Sequence, residues 1–126
     1  MGAKILYIED NEANRMLVRR ILFVEDYDVV EAADGPTGID LAREHLPDLI
    51  LMDMNLPDVD GYELTRRIRN IPELQHIPII AMTANVMHGD REKTLEAGCD
   101  GYIPKPIDVD ALPEQIKTYL EAKGRG

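Results

Sequence analysis

The stretch Leu49-Ile50-Leu51-Met52-Asp53-Met54-Asn55-Leu56-Pro57 opens with four consecutive apolar residues and turns polar at an aspartate. A short run without alternation, closed by turn-forming residues, predicts a strand buried on both faces, as in a parallel sheet covered by helices. Similar runs occur at Ile5 to Ile8, Tyr27 to Ala32, Ile77 to Met82 and, shorter, Gly101 to Ile103. Helical periodicity occupies residues 13–24, 36–45, 61–70, 87–97 and 109–121. Gly35-Pro36, Pro47-Asp48 and Gly98 punctuate the boundaries. Strands alternating with helices in this way predict stacked βαβ units and an α/β fold.

The bulk properties narrow the class. A chain of 126 residues has room for one core, so 1–126 is expected to be a single domain, with 122–126 a frayed tail. It is 44% hydrophobic and 30% charged, and its apolar runs fall short of the roughly 18 residues that suggest a membrane span. Met1-Gly2-Ala3-Lys4 leads straight into an apolar strand without a cleavage-site pattern, so a cytoplasmic location is expected. The single cysteine, Cys99, has no partner for an internal disulfide and reads as a small buried hydrophobe. A formal net charge of -10 repels phosphate backbones, which argues against direct nucleic-acid binding and points to proteins or small ions as partners.

In an open parallel sheet with right-handed crossovers, residues at the carboxyl ends of the strands gather along one edge. Those ends read Glu9-Asp10, Asp53, Thr83 and Pro104-Lys105-Pro106. Singly, each has an ordinary explanation: Asp10 as a helix cap, Asp53 as a turn residue, Thr83 as a satisfied strand hydroxyl, Lys105 as a solvated lysine. Their shared position at one edge is what raises a functional reading. Two carboxylates about 4 Å apart repel by about 4 kcal/mol at an effective dielectric of about 20, so crowded acids need protons or a cation. All the donors are oxygens, without cysteine or histidine, which disfavours zinc and suits a hard ion such as Mg²⁺. Lys105 is then a point charge for phosphate oxygens, the Thr83 hydroxyl a donor to the same group, and the backbone N–H groups of Met54 and Ala84 candidates to complete the shell. In that arrangement Asp53 is a nucleophile whose acyl phosphate is labile.

These residues resemble the receiver domain of bacterial two-component response regulators, and are similar to the single-domain chemotaxis and cell-cycle members. The resemblance spans the chain and rests on Glu9-Asp10, Leu49 to Pro57 with Gly61 beyond, Ile80-Ala81-Met82-Thr83-Ala84, and Tyr102-Ile103-Pro104-Lys105-Pro106. It implies a flavodoxin-like (βα)5 three-layer sandwich with a five-stranded parallel sheet of order 2-1-3-4-5. It implies that Asp53 accepts a phosphoryl group from a phosphohistidine on a sensor histidine kinase or histidine phosphotransfer protein. By the same likeness Asp10 and Asp53 hold Mg²⁺ directly, Glu9 acts through water, and Asn55 contributes its backbone carbonyl. Thr83 and Tyr102 form the switch pair, Lys105 anchors the phosphate, and the Lys105–Pro106 peptide bond is cis. A downstream protein target is implied, with a phosphorylation-dependent homodimer left open; the surface expected to change lies near Val86, Met87 and Tyr102. Such a domain assists its own modification without acting on an external substrate. Asn85 falls where the family tunes phosphate lifetime.

Two other classes compete. A phosphohydrolase of the haloacid dehalogenase type would carry a second aspartate two positions after the nucleophile, where Asn55 stands. A constitutive binding module would have lost an acidic or lysine site, and all are present. His45, His76 and His88 lack metal-ligand spacing and read as surface residues. The run Arg66-Arg67-Ile68-Arg69, near Glu63 and Glu73, reads as a solvated helix face.

Overall fold

The computed structural model of the chain describes residues 2–56, 59–83 and 90–125. Five parallel strands, β1 (Lys4–Ile8), β2 (Asp28–Ala32), β3 (Leu49–Asp53), β4 (Ile79–Thr83) and β5 (Gly101–Pro104), lie in the order β2-β1-β3-β4-β5. The helices are α1 (Glu12–Val24), α2 (Gly35–His45), α3 (Gly61–Arg69), α4 (Asp90–Ala97) and α5 (Leu112–Arg125), with a 3₁₀ turn at Pro72–Leu74. The expected α/β class, parallel sheet and 2-1-3-4-5 order are all present.

The unalternating strands are explained by two cores. Leu6, Ile8, Ile50, Met52, Ile79 and Ala81 pack on one side of the sheet with Ala42 of α2 and Leu64 and Ile68 of α3. Their neighbours in sequence, Ile5, Tyr7, Leu49, Leu51, Ile80 and Met82, pack on the other side with Val18 and Leu22 of α1 and Leu112 and Ile116 of α5. Successive side chains of a strand point to opposite faces, so a strand buried on both must be apolar at every position. Cys99 is buried in the first core, as expected of a small hydrophobe.

Local chemistry sets the helix starts. Asn11, and not Asp10, caps α1 by accepting from the Asn14 N–H, while Asp34 and Asp60 cap α2 and α3 through Thr37 and Tyr62. Gly98 ends α4 at φ 112, a left-handed conformation that glycine enters without a Cβ clash. Some boundaries differ from expectation. Tyr27 is not in β2, because its N–H bonds Leu22 at the end of α1. Strand β4 starts at Ile79 because the Ile77 N–H closes the 3₁₀ turn onto Leu74 and Pro78 lacks a donor. The Asp108 carboxylate holds the N–H groups of Asp110 and Ala111 in a turn, so α5 starts at Leu112 and not at 109. Helical backbone continues to Arg125, into the stretch expected to fray.

The arginine run divides. Arg66 and Arg67 are exposed beside Glu63, as a solvated face requires. Arg69 does not belong to that face. It donates to the carbonyls of Gly98 (2.9 Å), Leu74 (3.3 Å), Gln75 (3.1 Å) and Ile77 (2.8 Å), and to Asp100 at 2.6 Å. The helix rotation that buries Ile68 also carries its neighbour Arg69 over the loop carbonyls at the amino-terminal edge of the sheet.

Candidate functional site at the carboxyl edge of the sheet

Strands β1, β3, β4 and β5 deliver Glu9-Asp10, Asp53, Thr83 and Lys105 to one edge, as their order requires. Glu9, Asp10 and Asp53 each offer a carboxylate oxygen, all within 4.8 Å of one another. Glu9 and Asp53 are buried at 1% and 2% exposure, whereas Asp10 is exposed. The crowding inferred from the strand ends is therefore real, and two of the acids have lost most of their water.

Lys105 supplies the compensating charge. Its ammonium donates to Asp53 Oδ1 at 2.8 Å and stands 3.7 Å from Glu9 Oε1. The lysine reaches the site because its N–H bonds the Thr83 carbonyl at 2.8 Å, which ties the end of β5 to the end of β4. The following peptide bond, Lys105–Pro106, is cis, as the resemblance implied. One ammonium does not neutralise three acids, and the two buried carboxyls respond in opposite directions. Burial first, then the hydrogen bond and charge of Asp53, push the Glu9 carboxyl up to about 7. Burial works against ionisation of Asp53 too, but hydrogen bonds with Glu9, Lys105 and the Asn55 N–H outweigh it and hold Asp53 below the ordinary carboxylate range. In the metal-free pocket these surroundings favour the protonated form of Glu9 and the anionic form of Asp53.

That donor set fits a divalent hard cation. All donors are oxygens and the acids outnumber the base, so a divalent cation would relieve the crowding that raises the Glu9 carboxyl. Among the described residues Glu9, Asp10 and Asp53 are the acidic group with this spacing.

The remaining expected residues divide into three groups. Thr83 is buried at the end of β4. Tyr102 is half-buried on β5, opposite Ala81 in the strand register, so it shares a sheet face with Ala81 and Thr83. Its carbonyl accepts from the Tyr119 hydroxyl at 3.2 Å. Met54 departs from expectation: its N–H bonds the Met82 carbonyl at 3.1 Å, completing the β3–β4 ladder, so it is engaged away from the pocket. The N–H turned to Asp53 Oδ1 is that of Asn55, at 3.0 Å, because the chain leaves the ladder one residue later. Ala84, Asn85, Val86, Met87 and His88 lie outside the described residues.

Sequence reading missed the shell around Glu9. The Tyr7 hydroxyl donates to Glu9 Oε1 at 3.1 Å, Asn14 Nδ2 to the same oxygen at 3.2 Å, and the Asn11 N–H to Oε2 at 3.3 Å. Arg15 donates to the Glu9 carbonyl at 2.7 Å. Strand periodicity carried a signal for Tyr7, two residues before Glu9 on the same face. The contributions of Asn14 and Arg15 depend on how α1 rotates over the sheet.

An open parallel sheet with an acidic pocket at its carboxyl edge and a lysine seated on the central aspartate is the architecture of phosphoryl-accepting signalling switches. The response regulator receiver domain profile matches residues 5–117, and the chain belongs to that family. It is 46% identical over 120 residues to the polar-differentiation response regulator DivK of Brucella anthropi, covering 95% of this chain and 98% of that protein. Among solved structures it is similar to the receiver domain of the sensor histidine kinase PA1611 of Pseudomonas aeruginosa, which has a magnesium ion coordinated in its active-site cleft (38% identity, TM-score 0.87, 96% of this chain and 99% of the other). It is also similar to the chemotaxis response regulator CheY4 of Vibrio cholerae (25% identity, TM-score 0.89, 94% and 98%). The chain is a phospho-accepting signalling domain.

Proposed function

We propose that Asp53 is the phosphoryl acceptor, that Glu9, Asp10, Asp53 and the Asn55 carbonyl hold Mg²⁺, and that a phosphohistidine on a sensor kinase or phosphotransfer protein is the donor. The observation that carries this reading is the Lys105 ammonium 2.8 Å from Asp53 Oδ1, beside two further carboxylates within 4.8 Å. A lysine committed to an aspartate inside a buried acidic pocket keeps that aspartate anionic, as a nucleophile requires. Oδ1 is held by Lys105 and Asn55, so the other Asp53 oxygen attacks phosphorus, the P–N bond to imidazole breaks, and the imidazole takes up a proton as it leaves. Bound in the pocket, Mg²⁺ supplies charge neutralisation for the carboxylates and the phosphoryl oxygens.

Lys105 then follows the phosphoryl oxygens, and the Thr83 hydroxyl donates to them as Tyr102 turns inward. A phosphoryl group shifts the domain only in so far as it binds one arrangement of Thr83 and Tyr102 more tightly than the other. The readout is a downstream protein surface around Tyr102. The 1–126 chain acts as one cytoplasmic receiver unit, a switch and not an enzyme for an external substrate. Among the described residues no helix is long and apolar enough to cross a membrane.

Intact mass after incubation with acetyl phosphate tests the assignment. A phosphoryl adduct is expected with Mg²⁺, is expected to be lost on chelation, and is absent from Asp53→Asn. An equal adduct on Asp53→Asn overturns it.

A further inference from the structure

The opposite edge of the sheet carries a second feature that phosphoryl transfer leaves unused. Helix α1 ends in Phe23 and Val24, exposed at 77% and 79%, and the chain turns back through Asp26 to begin β2. Beside them a groove of about 480 Å³ is lined by Gly2, Phe23, Asp26, Tyr27 and Asp28. Two adjacent large apolar side chains left in water at a helix end mark a site of association more often than scattered single residues do. Tyr27, half-buried in the groove, adds an aromatic wall.

The surrounding charge identifies the occupant. Asp26 and Asp28 line the groove and are exposed, and Glu25, next to them in the chain, is exposed as well. Glu25, Glu121 and Glu114 act on Tyr27 together with the base Lys117. Arg19 and Arg20, one turn back on α1, are exposed bases among the described residues, and Arg19 is already paired with Glu31 at 2.7 Å. On a chain of net charge -10, this rim repels a second copy and an anionic lipid surface, and attracts cations. We propose that the groove between the end of α1 and the start of β2 docks a basic protein segment, one that seats a bulky apolar side chain against Phe23 and Tyr27, with Val24 exposed next to Phe23 in the chain, and pairs its Lys or Arg residues with Asp26, Asp28 and the neighbouring Glu25. A five-residue strand spans about 16 Å, so the groove and the Asp53 pocket lie at opposite edges of the sheet. A partner held here leaves the pocket open to a phosphodonor.

Amide NMR spectra of the full chain test this with three synthetic peptides: an amphipathic helical peptide with a Leu/Phe face and a Lys/Arg face, the same peptide with Glu for every base, and one with Ser for every Leu and Phe. The basic amphipathic peptide is expected to shift the amides of Gly2 and residues 23–28, more weakly as salt rises. The Glu peptide leaves them unmoved, and the Ser peptide binds about tenfold more weakly. Phe23→Ser combined with Val24→Ser is expected to weaken the first peptide about tenfold, with the rest of the spectrum and acetyl phosphate labelling unchanged. Equal binding of the basic and Ser peptides, shifts that map to other surfaces, or shifts at residues 23–28 produced by protein concentration alone or by anionic phosphatidylglycerol vesicles would overturn the proposal.

Discussion

At the scale of single residues the informative group is Glu9. Its carboxyl is pushed up to about 7 while its ordinary value is 4.5, so the metal-free folded chain binds this proton more tightly than the unfolded chain does. The stability it contributes is complete below about pH 4.5 and is lost as pH rises through about 7. Asp53 has the opposite sign: held below 3.8, it contributes stability above that value and loses it on acidification. Urea midpoints of metal-free protein are therefore expected to fall between pH 5 and pH 7.5, and Glu9→Gln, which keeps the Tyr7 and Asn14 contacts but carries no proton to lose, is expected to flatten that slope. The same proton must leave when a cation enters. Mg²⁺ affinity should accordingly climb over this pH range and level off above it, with proton release seen by calorimetry in buffers of different ionisation enthalpy; a flat profile would contradict the raised Glu9 carboxyl.

At the scale of elements, two contacts hold the site without touching phosphate. Helix α3 starts so close to the turn after β3 that a Cβ at Gly61 would lie 2.7 Å from Met54 Cα and 2.8 Å from its sulfur. The backbone cannot yield there without moving the turn that aims the Asn55 N–H at Asp53. Gly61→Ala is expected to cost about 1–3 kcal/mol in urea denaturation and to slow labelling by acetyl phosphate, since overpacking is relieved by backbone shift. At the other edge, Arg69 joins α3, the 3₁₀ turn and the α4–β5 turn, and Asp100, which it grips, also accepts the Ile79 N–H at 2.9 Å. Removing it leaves the carbonyls of Leu74, Ile77 and Gly98 without this donor. Arg69→Ala is expected to cost about 3 kcal/mol, and Arg69→Lys to recover little, because an ammonium cannot span what the guanidinium fork spans.

At the scale of the whole molecule, charge opposes compactness. A net charge of -10 on 126 residues, with acids gathered at both edges of the sheet, gives self-repulsion that salt screens. Raising ionic strength from about 0.02 M to 0.2 M is expected to raise the urea midpoint of the metal-free chain, and Mg²⁺ at equal ionic strength is expected to raise it further through the Asp53 pocket alone. Asp53→Asn separates the two effects: it retains the general salt response and loses most of the specific one.

The amino-acid order alone determined the strand and helix succession, the burial of both sheet faces and the set of strand-end residues. Each of these is a local pattern: unbroken apolar runs, helical spacing, and polar residues placed where a run stops. Only the tertiary structure decided which neighbours complete the pocket. Tyr7, Asn14 and Arg15 surround Glu9, Asn55 and not Met54 turns its N–H to Asp53, and Arg69 leaves its solvated run to grip the loops, because hydrogen-bond partners depend on how a helix is rotated against the sheet. The upward shift of the Glu9 carboxyl was equally out of reach of the sequence, since it arises from the water excluded around Glu9 and from the nearness of a carboxylate on a separate strand.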